Sequence, residues 1–383
     1  MAEIPASLRA AGVVQVVAYA LPLSRRFRGT TVREGMLLQG PSGWGEWAPF
    51  PEYADAAGAT WLAAGLEAAT GRWPDPVRAQ VTANAIVPAL PPHEAAEFAL
   101  AAFRESGCTT IKVKVSEVGG STVDDLERLT AVRDALPGHV RLRADANGAW
   151  TVDTALSAMW LFADLDLEYI EQPCASLDEC AALRAKRPPG KIAVDEGLRL
   201  ALDPASRRTR DDVRRAADVV VVKAAPLGGV GAALAIAIGL DIPVVVSGAL
   251  DSSVGLAAGI ALAAALPEQP YAAGLATGRL LTYDVTATPV VPRHGQLHVE
   301  RYAPDPAALA VSAMAPDRQV WWEARLERCA ALLADRGAAG APDRAGDTIV
   351  LPPPRTVVLP TDDPAHTSPP RPSGSADAAR WSV

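Results

Sequence analysis

The chain has 383 residues, 49% of them hydrophobic, which suffices for a large core, and its 36 basic and 44 acidic residues give a formal net charge of −8. The charges are interspersed apart from short runs such as Arg25-Arg26 and Arg207-Arg208, which argues against a nucleic-acid partner. Four scattered cysteines without CxxC pairing, no charged leader and no unbroken apolar span point to a reducing compartment, no zinc site and no membrane partner; a cytoplasmic protein is expected.

Residues 13–23 (VVQVVAYALPL) and 33–47 (REGMLLQGPSGWGEW) are apolar runs separated by turn signals and read as an antiparallel meander. The Ala/Leu-rich stretch 52–69 reads as a helix, so residues 1–83 form a small α+β unit. From residue 84 short apolar strands alternate with helical stretches: NAIVPA, TIKVKV, RLRADA, LEYIEQP, KIAVDEG, VVVVKAA, PVVVSGA and, weakly, YAAGLA. Between the second and third, TVDDLERLTAVRDAL opens a helix with Thr122 as its expected cap.

Eight strands over residues 84–282 favour an α/β fold of the (β/α)8 TIM-barrel type. A doubly wound sheet is the runner-up, but no GxGxxG follows the first strand. The Gly-rich stretch PLGGVG at 226–231 is by itself a weak phosphate signal, and a helix-start turn explains it at least as well. Residues 283–300 resemble a strand pair and 318–336 an amphipathic helix, so 283–336 is expected to return to and complete the N-terminal capping unit. Residues 337–383, rich in Pro, Ala, Asp, Ser and Thr, are expected to be a disordered tail.

In TIKVKV a pleat places Lys112 and Lys114 on one face and Ile111, Val113 and Val115 on the other. On a solvated face those lysines would only solubilise; inside a barrel they require anions nearby. Five consecutive strands end in an ionisable residue, Lys114, Asp145, Glu171, Asp195 and Lys223, at intervals of 24–31 residues. A barrel repeat of about 25–30 residues brings them together around one mouth, where this fold keeps its active sites. Three converging carboxylates repel one another unless a cation sits among them, and a hard divalent ion, Mg²⁺ or alternatively Mn²⁺, suits oxygen ligands. A single such Asp is more often a helix cap than a ligand; the recurrence at matched spacing is what argues for a site.

The set KVK, RADANGAW, YIEQP, AVDEG, VVVKAAPLGG and VVSGALDSSVGLAAG, with FRGTT and GWGEWAPFPEY upstream, resembles the enolase superfamily, muconate-lactonising subgroup, over nearly all of residues 10–333. Within it the chain is most similar to the actinobacterial o-succinylbenzoate synthase family, the dehydratases of menaquinone biosynthesis. The resemblance implies that Asp145, Glu171 and Asp195 are the metal ligands, Lys114 the general base, Lys223 the lysine on the opposite substrate face and Lys112 a supporting lysine; on physical grounds the like charge of Lys112 and a nearby Mg²⁺ are expected to lower the pKa of Lys114. It also implies that Arg143 and Asn147 support the site or face substrate, and that Ser247 and Gly248 contact a succinyl carboxylate. In the capping unit Arg26, Arg28 and Thr30 are candidates for that carboxylate, with a solvated turn as the competing reading.

The implied reaction is loss of water from 2-succinyl-6-hydroxy-2,4-cyclohexadiene-1-carboxylate to give 2-succinylbenzoate. An N-succinylamino acid racemase or related epimerase is the alternative, and a Schiff-base aldolase using Lys223 or a non-catalytic barrel are further classes. A small-molecule carboxylate is the expected partner, and a monomer the expected state.

Overall fold

The computed structural model describes residues 3–27, 29–117 and 119–339; Arg28 lies outside the described residues, as does the expected tail apart from its first three positions. An antiparallel sheet opens the chain: β1 (Gln15–Phe27), β2 (Thr30–Gly40) and β3 (Gly43–Trp47), in the order β1-β2-β3. The β1–β2 register runs from Gln15↔Gln39 to Pro22↔Val32 and then shifts before Phe27↔Thr30. Pro22 has no N–H to donate, which suits the end of regular pairing. The helix Asp55–Thr70 packs on this sheet, burying Trp61 and Leu62 with Met36, Leu38 and Trp47.

Eight parallel strands follow: β4 (Gln80–Val87), β5 (Thr110–Lys114), β6 (Arg141–Asp145), β7 (Leu167–Glu171), β8 (Ile192–Val194), β9 (Val219–Val222), β10 (Val244–Val246) and β11 (Ala273–Ala276). They pair in the order β10-β9-β8-β7-β6-β5-β4-β11. A parallel bridge between Ser247 and Gly274, with Gly248 N–H donating to the Gly274 carbonyl at 3.0 Å, brings the two ends together into a nearly closed barrel.

Alternation decides which side chains face inward. In β9, Val220 and Val222 join the core shared with the outer helices, whereas Val219 and Val221 pack with Tyr169, Ala193 and Val245 inside the barrel. The same parity turns Ile111 and Val113 outward and Lys112 and Lys114 inward, all buried. The lysines are therefore interior groups, not a solvated face.

Two local expectations change, and of the two readings of PLGGVG the helix start is the one observed. Ser121, not Thr122, caps the helix Thr122–Ala135, accepting from Asp124 N–H at 3.2 Å while the Asp124 carboxylate accepts from Ser121 N–H at 2.7 Å. The PLGGVG stretch starts the helix Val230–Leu240, and Glu67 of the capping helix already fills its N-terminus, accepting from Val230 N–H at 2.6 Å and Gly231 N–H at 2.9 Å. Residues 283–300 supply one strand, β12 (Gln296–His298), which pairs antiparallel with the start of β4; Pro289 and Pro292 lack the donors a second strand would need. The helix Pro316–Ala339 then packs on the capping unit, with Trp322 edge-on to Trp47 at 5.3 Å between ring centroids. Among the described residues no helix is long and apolar enough to cross a membrane.

Candidate active site

Parallel register sets Lys114 beside Asp145 and Asp145 beside Glu171 across β5, β6 and β7. With Asp195 just past β8 and Lys223 just past β9, five ionisable groups meet at the C-terminal mouth of the barrel. A narrow cleft lies there, lined by Lys112, Lys114, Asp145, Asn147, Asp195, Lys223, Ser247 and Gly248 among others.

Every carboxylate of the set is answered by a cation. Lys112 donates to both Glu171 oxygens at 2.8 and 2.7 Å and stands 3.0 Å from Asp145 Oδ2. Lys114 donates to Asp145 Oδ2 at 2.6 Å and to Asn147 Oδ1 at 2.5 Å. Lys223 donates to Asp195 Oδ2 at 2.6 Å, and Arg199 Nε holds Asp195 Oδ1 at 3.0 Å.

The electrostatics follow from that arrangement. Burial works against ionising Asp145 and Asp195, but Lys112 and Lys114 beside the first, and Lys223 and Arg199 beside the second, hold both carboxyls well below the usual range. Glu171 is pushed up to about 7, by burial first and then by the Asp145 charge. Burial alone would lower the Lys112 ammonium, yet Asp145 and Glu171 outweigh it and hold it up. Lys112 thus acts first as counter-ion to two carboxylates; its positive charge, so compensated, is a weaker perturber of Lys114 than the KxK spacing alone suggests.

Among the described residues no three carboxylate, histidine or cysteine side chains are drawn together as a ready metal site, because the ammonium groups stand between the carboxylates. The donor set nonetheless suits a hard divalent cation: three buried oxygen-donor side chains at the ends of adjacent strands, with Glu171 pushed up to about 7 by burial and by the Asp145 charge.

The remaining candidates separate. Asn147, at φ +48, donates its N–H to Asp145 Oδ1 at 3.1 Å and its Nδ2 to Glu196 Oε1 at 3.2 Å, so it orients the first carboxylate and meets Lys114. Arg143 does not line the cleft. It shares the inward face of β6 with Asp145 but sits two residues, about 6.6 Å, deeper, bonded to Glu168 at 2.6 Å, Asn84 Oδ1 at 2.8 Å and the Ala272 carbonyl at 2.8 Å. Arg26 is exposed and is not among the residues that line the cleft, and Thr30 Oγ1 closes a local turn with the Val32 carbonyl at 2.8 Å.

The capping unit instead places Phe27 in the cleft, its ring centroid 5.5 Å from Lys114 Nζ. The aromatic between arginines in RRFRG was the available signal. Sequence reasoning also missed Asn84, Ile86, Leu250 and Thr277 in the cleft wall, and Glu196, which holds Arg199 Nη2 at 2.7 Å. Nothing in the local sequence marks the wall residues; the glutamate was visible as the second acid of AVDEG.

Comparison with known proteins agrees with this architecture. Residues 94–305 match the "Enolase C-terminal domain-like" family and residues 18–69 the "Enolase N-terminal domain-like" family. The chain is 53% identical over 309 residues to an o-succinylbenzoate synthase of Thermobifida fusca, covering 81% of this chain and 94% of that protein. It is 48% identical over 316 residues to an o-succinylbenzoate synthase of Mycobacterium tuberculosis, covering 82% and 93%. Among solved structures it resembles muconate lactonizing enzyme from Pseudomonas putida (TM-score 0.66, 19% identity, 79% of this chain and 99% of that one). It equally resembles the N-succinyl Arg/Lys racemase of Bacillus cereus (TM-score 0.66, 18% identity, 79% and 98%); at such identities the likeness concerns fold alone.

Proposed function

Because this chain belongs to the o-succinylbenzoate synthase family of the enolase superfamily, a family of hydro-lyases, we propose that the cleft at the barrel mouth dehydrates 2-succinyl-6-hydroxy-2,4-cyclohexadiene-1-carboxylate to 2-succinylbenzoate, with Lys114 as the proton-transfer group. The observation that carries the residue assignment is that three lysines and two carboxylates line one cleft, with the third carboxylate bonded to Lys112.

Asp145, Glu171 and Asp195 would hold the divalent cation on which enzymes of this superfamily generally depend, and when bound it supplies positive charge where the substrate carboxylate becomes more negative on proton loss. Lys114 takes the proton from the carbon next to that carboxylate. It must be a neutral amine to do so, and Asn147 Oδ1 and Asp145 hold its nitrogen at the cleft wall. The same nitrogen, now an ammonium, returns a proton to the departing hydroxyl on the same face, so water leaves and the ring becomes aromatic. Lys223, paired with Asp195, stabilises the charge that develops on the ring. Ser247 and Gly248, which line the cleft, would receive the succinyl carboxylate.

The racemase alternative has the weaker support: relatives near 50% identity carry the dehydratase name, whereas the racemase shares only the fold. The test is conversion of the cyclohexadiene carboxylate by the purified protein with Mg²⁺, against Lys114→Ala and chelator controls; no conversion, together with deuterium exchange at Cα of an N-succinylamino acid, would favour the racemase.

A further inference from the structure

The segment from Ser247 to Ser252, between β10 and the helix Ser253–Ala265, carries Ser247, Gly248, Ala249 and Leu250 into the cleft wall. Much of what holds it comes from the other sheet. Arg33, buried on β2, donates Nε to the Leu250 carbonyl at 3.0 Å and Nη2 to the Ala48 carbonyl. Glu46, on β3, accepts from Ser252 N–H at 3.0 Å and from the Ser252 hydroxyl. Within the segment Asp251 folds back to accept from Ala249 N–H at 2.9 Å.

Leu250 sits at φ +64, a left-handed conformation that leucine rarely adopts. Its side chain is 2% exposed and packs with Phe27, Ile86 and Leu280, forming the apolar end of the cleft. Two glycines make room for the carboxylates that brace the turn. A Cβ on Gly248 would lie 2.7 Å from Asp251 Oδ2, and one on Gly255 would lie 2.3 Å from Glu46 Oε1. A twisted leucine in a binding wall, fastened by a buried arginine more than 200 positions away in sequence, needs more than domain packing to account for it.

We propose that Arg33 and Glu46 are positioning residues that let the capping sheet set the shape of the apolar end of the cleft, by holding the Leu250 turn against Phe27 and Ile86. That end meets the uncharged carbon skeleton of a carboxylate substrate. The identity of that substrate rests on the dehydratase reading; the clamp itself does not. Because neither residue touches the reacting lysines, its loss acts on substrate fit and not on proton transfer.

The experiment compares Arg33→Met and Ser252→Ala with the unmodified protein and with Glu67→Gln, which weakens a different tie between the capping helix and the barrel. Steady-state dehydration kinetics and hydrogen–deuterium exchange of the backbone over 247–252 are measured. Expected in both clamp variants are faster exchange in that segment and a KM raised about tenfold, with kcat held within about threefold, from loss of a buried charge-assisted bond. Ser252→Ala keeps the test open should Arg33→Met fail to fold. Unchanged exchange in a folded clamp variant overturns the proposal. So does a fall in kcat at constant KM, or an equal rise of KM in Glu67→Gln, which would show general domain docking. No turnover by the unmodified protein, with faster exchange in the clamp variants, would refute the dehydratase reading and leave the clamp standing.

Discussion

Replacing Lys112 with methionine tests whether this side chain is the counter-ion of the carboxylate cluster. Methionine matches the lysine in length but removes the ammonium from Glu171, where it stands 2.8 and 2.7 Å from the two oxygens, and from Asp145 at 3.0 Å. The site is 4% exposed, so water cannot replace the lost charge. Breaking a buried ion pair from one side costs about 3–5 kcal/mol. Glu171, already pushed up to about 7, can relieve part of this by taking a proton, so the loss is larger at pH 8 than at pH 6. At about 2 °C per kcal/mol for a chain of this size, Lys112→Met should lower the melting temperature in EDTA by about 6–10 °C at pH 8. Thermal unfolding by circular dichroism with EDTA and then with Mg²⁺ reads both parts. Magnesium should narrow the gap, since carboxylates released from Lys112 bind the ion more tightly in the variant, and a bound ion stabilises with the logarithm of its concentration over Kd. A drop within about 1 °C in EDTA, or a gap that Mg²⁺ leaves unchanged, would refute the counter-ion assignment.

Glu46 offers a stability signature with a definite sign. Burial, then Asp251, raise its carboxyl from 4.5 to about 7. The folded state therefore binds the proton more tightly than the unfolded one, and this contribution is present below about pH 4.5 and lost as pH rises toward 7, an effect of at most about 3 kcal/mol. Urea titrations should show the unmodified protein losing stability relative to Glu46→Gln between pH 5 and pH 8, and a difference independent of pH would contradict the shift. Trp322→Ala empties a fully buried site against Trp47 and should cost about 3–5 kcal/mol by denaturant titration, with kcat preserved in the folded fraction. Arg26→Ala should leave KM unchanged, as the side chain is exposed and outside the cleft; a marked rise would return it to the substrate site.

What could be read in the sequence was what a pleat and a repeat encode. Alternation in TIKVKV and in VVVVK assigns a face to each lysine, and the even spacing of Lys114, Asp145, Glu171, Asp195 and Lys223 assigns them one mouth. Depth along the strand is a different matter. Arg143 has the same inward parity as Asp145 and pairs in register with Lys112, yet its guanidinium is held by Glu168, Asn84 and the Ala272 carbonyl instead of lining the cleft, and no local pattern shows that. Charge in the capping hairpin drew attention to Arg26 and Thr30, whereas the turn delivers Phe27. Contacts such as Arg33 to Leu250 join positions 217 apart and leave no local trace. The single strand of residues 283–300 reflects prolines whose missing donors outweighed the apolar pattern.

The most direct measurement follows the ultraviolet absorbance of 2-succinyl-6-hydroxy-2,4-cyclohexadiene-1-carboxylate with the purified protein and Mg²⁺, beside Lys114→Ala. Rapid conversion to 2-succinylbenzoate, reduced about 10²–10⁴-fold by the substitution in a folded variant, is the predicted result. Conversion at the unmodified rate by Lys114→Ala would remove Lys114 from the chemistry, and no conversion by the unmodified protein would contradict the dehydratase assignment itself.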